Sequence, residues 1–425
     1  MRKVEVCYVS RVEGQGSINV EVDEKGRVKR AEFAIFEPAR FFEALLKGRK
    51  YSEVHELTSR ICGICPIAHQ MTALTAVENA FGVEVSEQTR ELRRLLALSG
   101  WIQSHALSVF MLTLPDYMGF DGAISMASEH RELVETALRV KKLGNDIGEV
   151  VGGKPIHPIS AVVGGFTKVP SRRDLSPFLE RLEQGREDML GVVDLMASLD
   201  YPETGLESEV VSISRDDRYA VNEGLLASNK GLKAEEKEYR TIVVESEVPY
   251  SNAKQSRIKG RGTFMVGPLA RVVLNHKSLG PVASSVLKEI GLDLESTDPF
   301  MNIRARVVEI VYSIEESMRI IKDLSLDVSE RPVPVHVGVP CEGYALTEAP
   351  RGLLYHGYRF DRKGCVTFAD IVPPTAHNSA HVEDALRSLA PRVIEQGRDL
   401  SFECEKLVRA YDPCISCSVH AVEVR

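Results

Sequence analysis

The chain has 425 residues, 44% of them hydrophobic and 27% charged, with a formal net charge of −8. Such a balance is ordinary for a folded protein, and the length leaves room for a large core and even for two or three domains. The negative charge and the lack of a basic cluster argue against nucleic acid, no run of about 18 apolar residues marks a membrane span, and eight cysteines in this length make no disulfide scaffold.

In chain order, residues 4 to 36 read as β structure. Ile18, Val20 and Val22 alternate with polar residues, Asp23-Glu24-Lys25-Gly26 makes a turn, and the chain returns from Val28 to Phe36. The opening Met1-Arg2-Lys3-Val4-Glu5-Val6 lacks the apolar core of a signal peptide, so the expected location is cytoplasmic. Next comes Cys62-Gly63-Ile64-Cys65, followed by a helix over 66–81, with Pro66 suited to its first turn and Gly82 to its stop. Cys65 then sits at a helix N-terminus, where the dipole favours a thiolate. A long helix is expected over 87–114, closed by Pro115, with Trp101, Leu92, Leu95, Leu98, Ile102 and Val109 in the core. Further helices are expected near 125–149, 173–198, 302–324 and 382–410, the last broken at Pro391. Residues 240–275 and 357–372 look extended, the latter a hairpin around Asp361-Arg362-Lys363-Gly364. The fold class is therefore α+β: a long central helix bundle with β segments at the N-terminus and toward the C-terminus, in one domain spanning 1–425.

A second pair, Cys414-Ile415-Ser416-Cys417, lies near the other end of the chain. Two residues between cysteines let both sulfurs turn toward one metal, and two pairs give four thiolates. A zinc knuckle keeps its pairs roughly 15–20 residues apart. Here only the tertiary fold can bring the pairs together. A thioredoxin-like site is disfavoured because no βαβ pattern surrounds the first pair. Cys7, Cys341, Cys365 and Cys404 are scattered and read as buried small apolar residues. His55, His130, His157, His276, His336, His356 and His381 show no ligand spacing, and no dinucleotide fingerprint or P-loop is present.

The flanks of the pairs carry more. Arg60-Ile61-Cys62-Gly63-Ile64-Cys65-Pro66-Ile67-Ala68-His69 and Asp412-Pro413-Cys414-Ile415-Ser416-Cys417-Ser418-Val419-His420 resemble the two signatures of the large, catalytic subunit of nickel–iron hydrogenases. The resemblance spans essentially the whole chain and takes in Arg11-Val12-Glu13-Gly14 and Glu348-Ala349-Pro350-Arg351-Gly352. It implies that Cys62 and Cys414 are terminal nickel thiolates. Cys65 and Cys417 would bridge nickel to an iron carrying carbon monoxide and cyanide. Arg351 and Thr375 match positions facing those ligands, with Pro350 and Pro374 walling the pocket. Taken alone, Arg351 would be a surface or ion-paired arginine. Glu13 matches a proton-relay glutamate. Glu43 and His420 match ligands of a second metal, usually magnesium, and His69 and Asp412 would orient ligands or hydrogen-bond sulfur. Ser104 replaces an aspartate common in oxygen-exposed periplasmic members, beside a retained His105, and His377-Asn378 stands where those members have Trp before an asparagine.

Leu114-Pro115-Asp116-Tyr117 and the C-terminal segment look most like cytosolic, bidirectional sulfhydrogenase-type enzymes, which pass electrons through iron–sulfur and flavin (diaphorase) subunits to nicotinamide nucleotides. The chain has too few spare cysteines for clusters of its own, so an iron–sulfur small subunit is expected. The helix carrying the first pair and the N-terminal β region are the expected docking surfaces. The resemblance also implies metal chaperones and an endopeptidase that removes residues 421–425 after His420. Two other readings compete: a quinone-site subunit of a respiratory complex, whose relatives have lost the nickel cysteines, and a structural zinc–thiolate protein.

Overall fold

The computed structural model describes residues 2–419, so His420 and the tail lie outside the described residues. The N-terminal alternation becomes a three-stranded antiparallel sheet, Arg2–Val6, Gly16–Val22 and Val28–Ile35, with Val4 opposite Val20 and Ile18 opposite Phe33. Asp23 makes its turn by accepting the N–H groups of Lys25 and Arg27, and Gly26 supplies the left-handed φ of 77°. Ile18, Val20 and Phe33 face the core, as the period of two requires.

The helix after the first pair runs Pro66–Phe81 and stops at Gly82, whose φ of 63° lets its N–H reach Glu78 O. The long helix starts at Glu87, capped by Ser86, and keeps Leu92, Leu95, Leu98, Trp101, Ile102 and Val109 buried. Pro115 does not close it. Widened π turns over Leu107–Thr113 carry the chain past, and Pro115 falls in the first turn of Leu114–Met118, where its missing N–H breaks no helical bond. Glu87–Met118 is long and apolar enough to cross a membrane, but 78% of its apolar window is buried inside the protein, so it is a core helix. Arg131–Gly152 and Asn302–Asp323 pack against it; the second runs antiparallel, so that Arg94 meets Glu316 and His105 meets Glu309.

Elsewhere the expected boundaries shift. The 125–149 region divides into Ala123–Met126 and Arg131–Gly152, and 173–198 into Arg172–Leu175, Phe178–Leu190 and Val193–Ser198. The span 382–410 is two helices, Pro374–Glu395 and Leu400–Tyr411. Pro391 stays inside the first, because Leu386, Leu389, Ala390 and Val393 bury its apolar face, and the break comes at Gly397, φ 69°. The 240–275 region is only partly extended: a hairpin of Val243–Val248 and Ser251–Ile258 gives way to a helix, Pro268–Asn275, whose start Gly267-Pro268 announces. Helices Tyr51–Ser59 and Pro281–Glu289 and strand Cys341–Ala349 are additions to the expected set. Of the scattered cysteines only Cys404 is buried; Cys7 is exposed and Cys341 and Cys365 are intermediate, since both lie at strand ends or turns.

The late sheet is the element that serves the site. Cys341–Ala349, Gly352–Phe360 and Val366–Val372 pair antiparallel in order, with Ala349 opposite Gly352. Pro350 and Arg351 are therefore the two residues of a hairpin tip. Gly352 has φ 129°, and a Cβ there would stand 2.7 Å from the backbone N of Gly267, so only glycine fits. Helix takes 48% of the residues and strand 19%, in small separate sheets around the helices, which is the α+β class expected.

His377 illustrates how the interior treats charge. It is fully buried; Nδ1–H donates to Leu353 O at 3.0 Å and Nε2 accepts the Tyr239 hydroxyl at 2.6 Å. Burial pushes its pKa down to about 3, from 6.5. The folded state thus holds the neutral ring while the unfolded chain takes up a proton as pH falls through 6.5, so stability is lost from 6.5 downward. A His377→Gln variant lacks this loss. In denaturant titrations its stability deficit relative to the parent shrinks by roughly 2 kcal/mol between pH 7 and pH 5. A constant deficit would show that the ring takes up its proton in the fold as readily as in the unfolded chain.

Candidate metal centre

Both pairs are shaped locally before they meet. Ile64 N–H and Cys65 N–H point at Cys62 Sγ, at 3.2 and 3.3 Å, and Pro66 then starts the helix. At the other end, Asp412 takes a left-handed φ of 54° and Pro413 follows, which stops the helix at Tyr411 and turns Cys414 inward. Cys414 N–H is held by Thr375 Oγ1 at 2.9 Å, from the first turn of Pro374–Glu395.

The four sulfurs converge. Cys62 Sγ lies 3.2 Å from Cys414 Sγ, Cys65 Sγ 3.5 Å from Cys417 Sγ, and Cys414 Sγ 2.8 Å from Cys417 Sγ. All four lie within 4.8 Å of one another and all are buried. The paired cysteines are 352 positions apart in the chain. The ionisation of the set is shared. Hydrogen bonding from Cys414 lowers Cys62 well below the usual thiol range, while burial and the neighbouring sulfurs raise Cys414 well above it. One thiolate is thus favoured, and further ionisation needs a cation, so metal binding releases protons.

Arg351, at its hairpin tip, is buried and donates from Nε to Asp412 O at 2.7 Å and from Nη2 to Asp412 Oδ1 at 3.0 Å. Burial opposes its charge, but Asp412 and the thiol sulfurs keep its pKa raised. Its Nη1 and the Oδ2 of Asp412 have no partner among the described residues. A cavity of about 10 Å³, lined by Arg351, Thr375, Asn378, Val382, Tyr411 and Pro413 among others, adjoins this group. A buried donor beside a small, mostly apolar space suits a short, dipolar acceptor.

The remaining sequence candidates are placed as follows. Glu13 bridges to Cys414 as a parallel β partner; its carbonyl accepts Ile415 N–H at 3.0 Å and its Oε2 accepts Ser416 N–H at 3.0 Å. Its segment is pinned by an ion pair between Arg11 and Asp116, which Arg409 shares. His69 sits one helical turn after Cys65, buried, with Nδ1 3.1 Å from His356 Nε2; Tyr358 bonds the other nitrogen of His356 at 2.7 Å. Glu43 is apart from the sulfurs. It accepts Ile371 N–H at 2.8 Å, and burial pushes its carboxyl up to about 8. Arg40 N–H binds Val419 O at 2.8 Å, so the Glu43 segment reaches the chain's end, but His420 lies outside the described residues.

Sequence reading missed the support behind the hairpin tip. Arg271, fully buried, donates to both oxygens of Glu309 at 2.6 Å, to Glu348 Oε2 at 3.0 Å, and to the carbonyls of Ala349 and Pro350 at 2.8 and 2.9 Å. Its guanidinium lies 4.3 Å over Trp101, whose Nε1 donates to Glu348 O. No local motif surrounds Arg271, so nothing short of the fold could single it out.

Known proteins place the chain. A family model described as nickel-dependent hydrogenase matches residues 40–136 and 207–420, and one described as HoxL-like matches 3–37. Sulfhydrogenase 1 subunit alpha of Pyrococcus furiosus is 35% identical, covering 99% of this chain and 98% of that protein. Sulfhydrogenase 2 subunit alpha of the same organism is 36% identical over 99% of this chain and 100% of its own length. The crystal structure of an NAD+-reducing NiFe hydrogenase in the H2-reduced state matches with a TM-score of 0.88 at 27% identity, covering 99% of this chain and 100% of that one. The chain belongs to the nickel-dependent hydrogenase family and is the catalytic large subunit of a nickel–iron hydrogenase, an oxidoreductase acting on dihydrogen.

Proposed function

We propose that this chain carries out reversible oxidation of dihydrogen in the cytoplasm and hands the electrons to an iron–sulfur small subunit, and through flavin-containing diaphorase subunits to a nicotinamide nucleotide. The observation that carries the reading is the meeting of four buried sulfurs from the two ends of the chain. Four thiolates this close would suit two adjacent metals, with Cys62 and Cys414 held by nickel alone and Cys65 and Cys417 shared with iron. When bound, a nickel–iron pair supplies the electrophilic centre at which dihydrogen splits heterolytically. The unpartnered Nη1 of Arg351 suits a cyanide on iron, and Thr375 and Asp412 hold the walls and the arginine in place. Glu13, bonded between the second-pair cysteines, takes up the proton that leaves a sulfur. His69 orients the first-pair side through His356. Glu43 is a half-buried carboxyl that desolvation pushes up to about 8, and magnesium, with His420, would be the second metal it holds.

Two things favour the electron route. The relatives are named alpha subunits, which implies companions, and the NAD+-reducing enzyme shares the fold over its whole length. Beside the first pair, Gly63 is exposed, Ile64 is half-buried, and Ile156 and Ile159 are 50% and 49% exposed, an apolar surface close to the sulfurs where a partner's cluster would sit. Metal chaperones load the site and an endopeptidase then cuts after His420.

One native preparation tests this. Metal analysis is expected to give nickel and iron in equal amounts, and intact mass a chain ending at His420. Zinc alone would support a structural thiolate site, and no metal a respiratory-complex relative. Full activity with residues 421–425 still attached would refute the processing step.

A further inference from the structure

Arg351 hangs from a hairpin tip, a place that is usually exposed and mobile. Here residues 349–352 are all buried. Three successive carbonyls at the tip take donors from outside the sheet, as buried carbonyls must. Trp101 Nε1–H donates to Glu348 O at 3.1 Å, and Arg271 donates to Ala349 O at 2.8 Å and to Pro350 O at 2.9 Å. The Pro350 carbonyl shares a rigid peptide plane with the N–H of Arg351, so Arg271 Nη2 grips the unit from which the Arg351 side chain departs. Every N–H of the Arg271 guanidinium is engaged, the others by both oxygens of Glu309 and by Glu348 Oε2. Glu309 is itself fixed by the Tyr219 hydroxyl at 2.7 Å and His105 Nε2 at 3.0 Å, and Glu348 accepts Ile213 N–H on its other oxygen at 3.0 Å. The two carboxylates offset the charge of Arg271, so a second buried arginine can stand behind Arg351.

We propose that Arg271 is a positioning residue: with Glu309 and Glu348 it sets the direction of the Pro350–Arg351 peptide and so aims Arg351 Nη1 at the metal centre. The inference rests on the reading that this Nη1, which has no partner among the described residues, faces a cyanide on iron. Asp412 fixes the far end of the Arg351 side chain and Arg271 fixes its root, which leaves the free donor one direction. Lysine cannot replace Arg271. It brings a point charge where a planar fork meets two carbonyls and two carboxylates at once.

In the native complex, Arg271→Lys is expected to keep nickel and iron bound, to shift the cyanide stretching bands in the infrared, and to slow exchange of dihydrogen with solvent deuterons by roughly tenfold. A purely structural role predicts another pattern: lower metal content or melting temperature, with the bands of the loaded fraction unmoved. In an Arg351→Lys background, Arg271→Lys is expected to add no further band shift, because the group through which it acts is gone. Glu348→Gln keeps the shape, but its amide accepts with one end only. It gives the same shift in smaller size and serves where Arg271→Lys does not fold. Parental cyanide bands in loaded Arg271→Lys or Glu348→Gln enzyme, or equal shifts with and without Arg351, would overturn the inference. Shifted bands in Arg351→Lys beside parental bands in Arg271→Lys remove Arg271 alone. Unmoved bands in Arg351→Lys itself would bring down the reading beneath.

Discussion

Cys417→Ser turns over dihydrogen at less than about a thousandth of the parental rate, a barrier change of more than about 4 kcal/mol. The position leaves little alternative. Cys417 Sγ is 2.8 Å from Cys414 Sγ and 3.5 Å from Cys65 Sγ, so it sits inside the cluster. Serine fills nearly the same volume in a buried place, so the fold survives. What is lost is a soft thiolate, and a hydroxyl oxygen is a poorer ligand than a thiolate for nickel and iron. Nickel content falls with activity. On the proposed order of loading before processing, the mass of the variant is expected to keep residues 421–425. Turnover at the parental level would reject the assignment of this cluster as the site of chemistry.

Glu13→Gln leaves nickel and iron bound and slows exchange between dihydrogen and solvent protons by roughly a hundredfold. Glutamine keeps the bond from Ser416 N–H, and the backbone bridge to Cys414 is untouched, so geometry is preserved. Only the capacity to accept a proton goes. Exchange at the parental rate, measured with gas and solvent of different isotopes, would remove Glu13 from the route.

The four cysteines that could hold a metal were legible because each pair's chemistry is local. A Cys-x-x-Cys turn with proline after it specifies its own geometry, and the structure keeps it at Cys62–Pro66. Helices with a regular apolar stripe and clear stops, such as Pro66–Phe81, were equally readable. Boundaries failed where burial overrode a local signal. Pro391 lies inside a helix because its neighbours are core residues, and Pro115 follows a π turn with no sequence signature. Arg271 was invisible for another reason: it acts on residues far away in sequence, and only the fold discloses the contact.

The wide separation of the two pairs bears on how the protein is made. An ion gripped by Cys62 and Cys414 staples a loop of some 350 residues, and polymer estimates put the entropy this removes from the unfolded chain at about 5–6 kcal/mol. A nascent polypeptide that has not yet reached Cys417 has no second pair to offer, so a four-thiolate site cannot close before that segment is made.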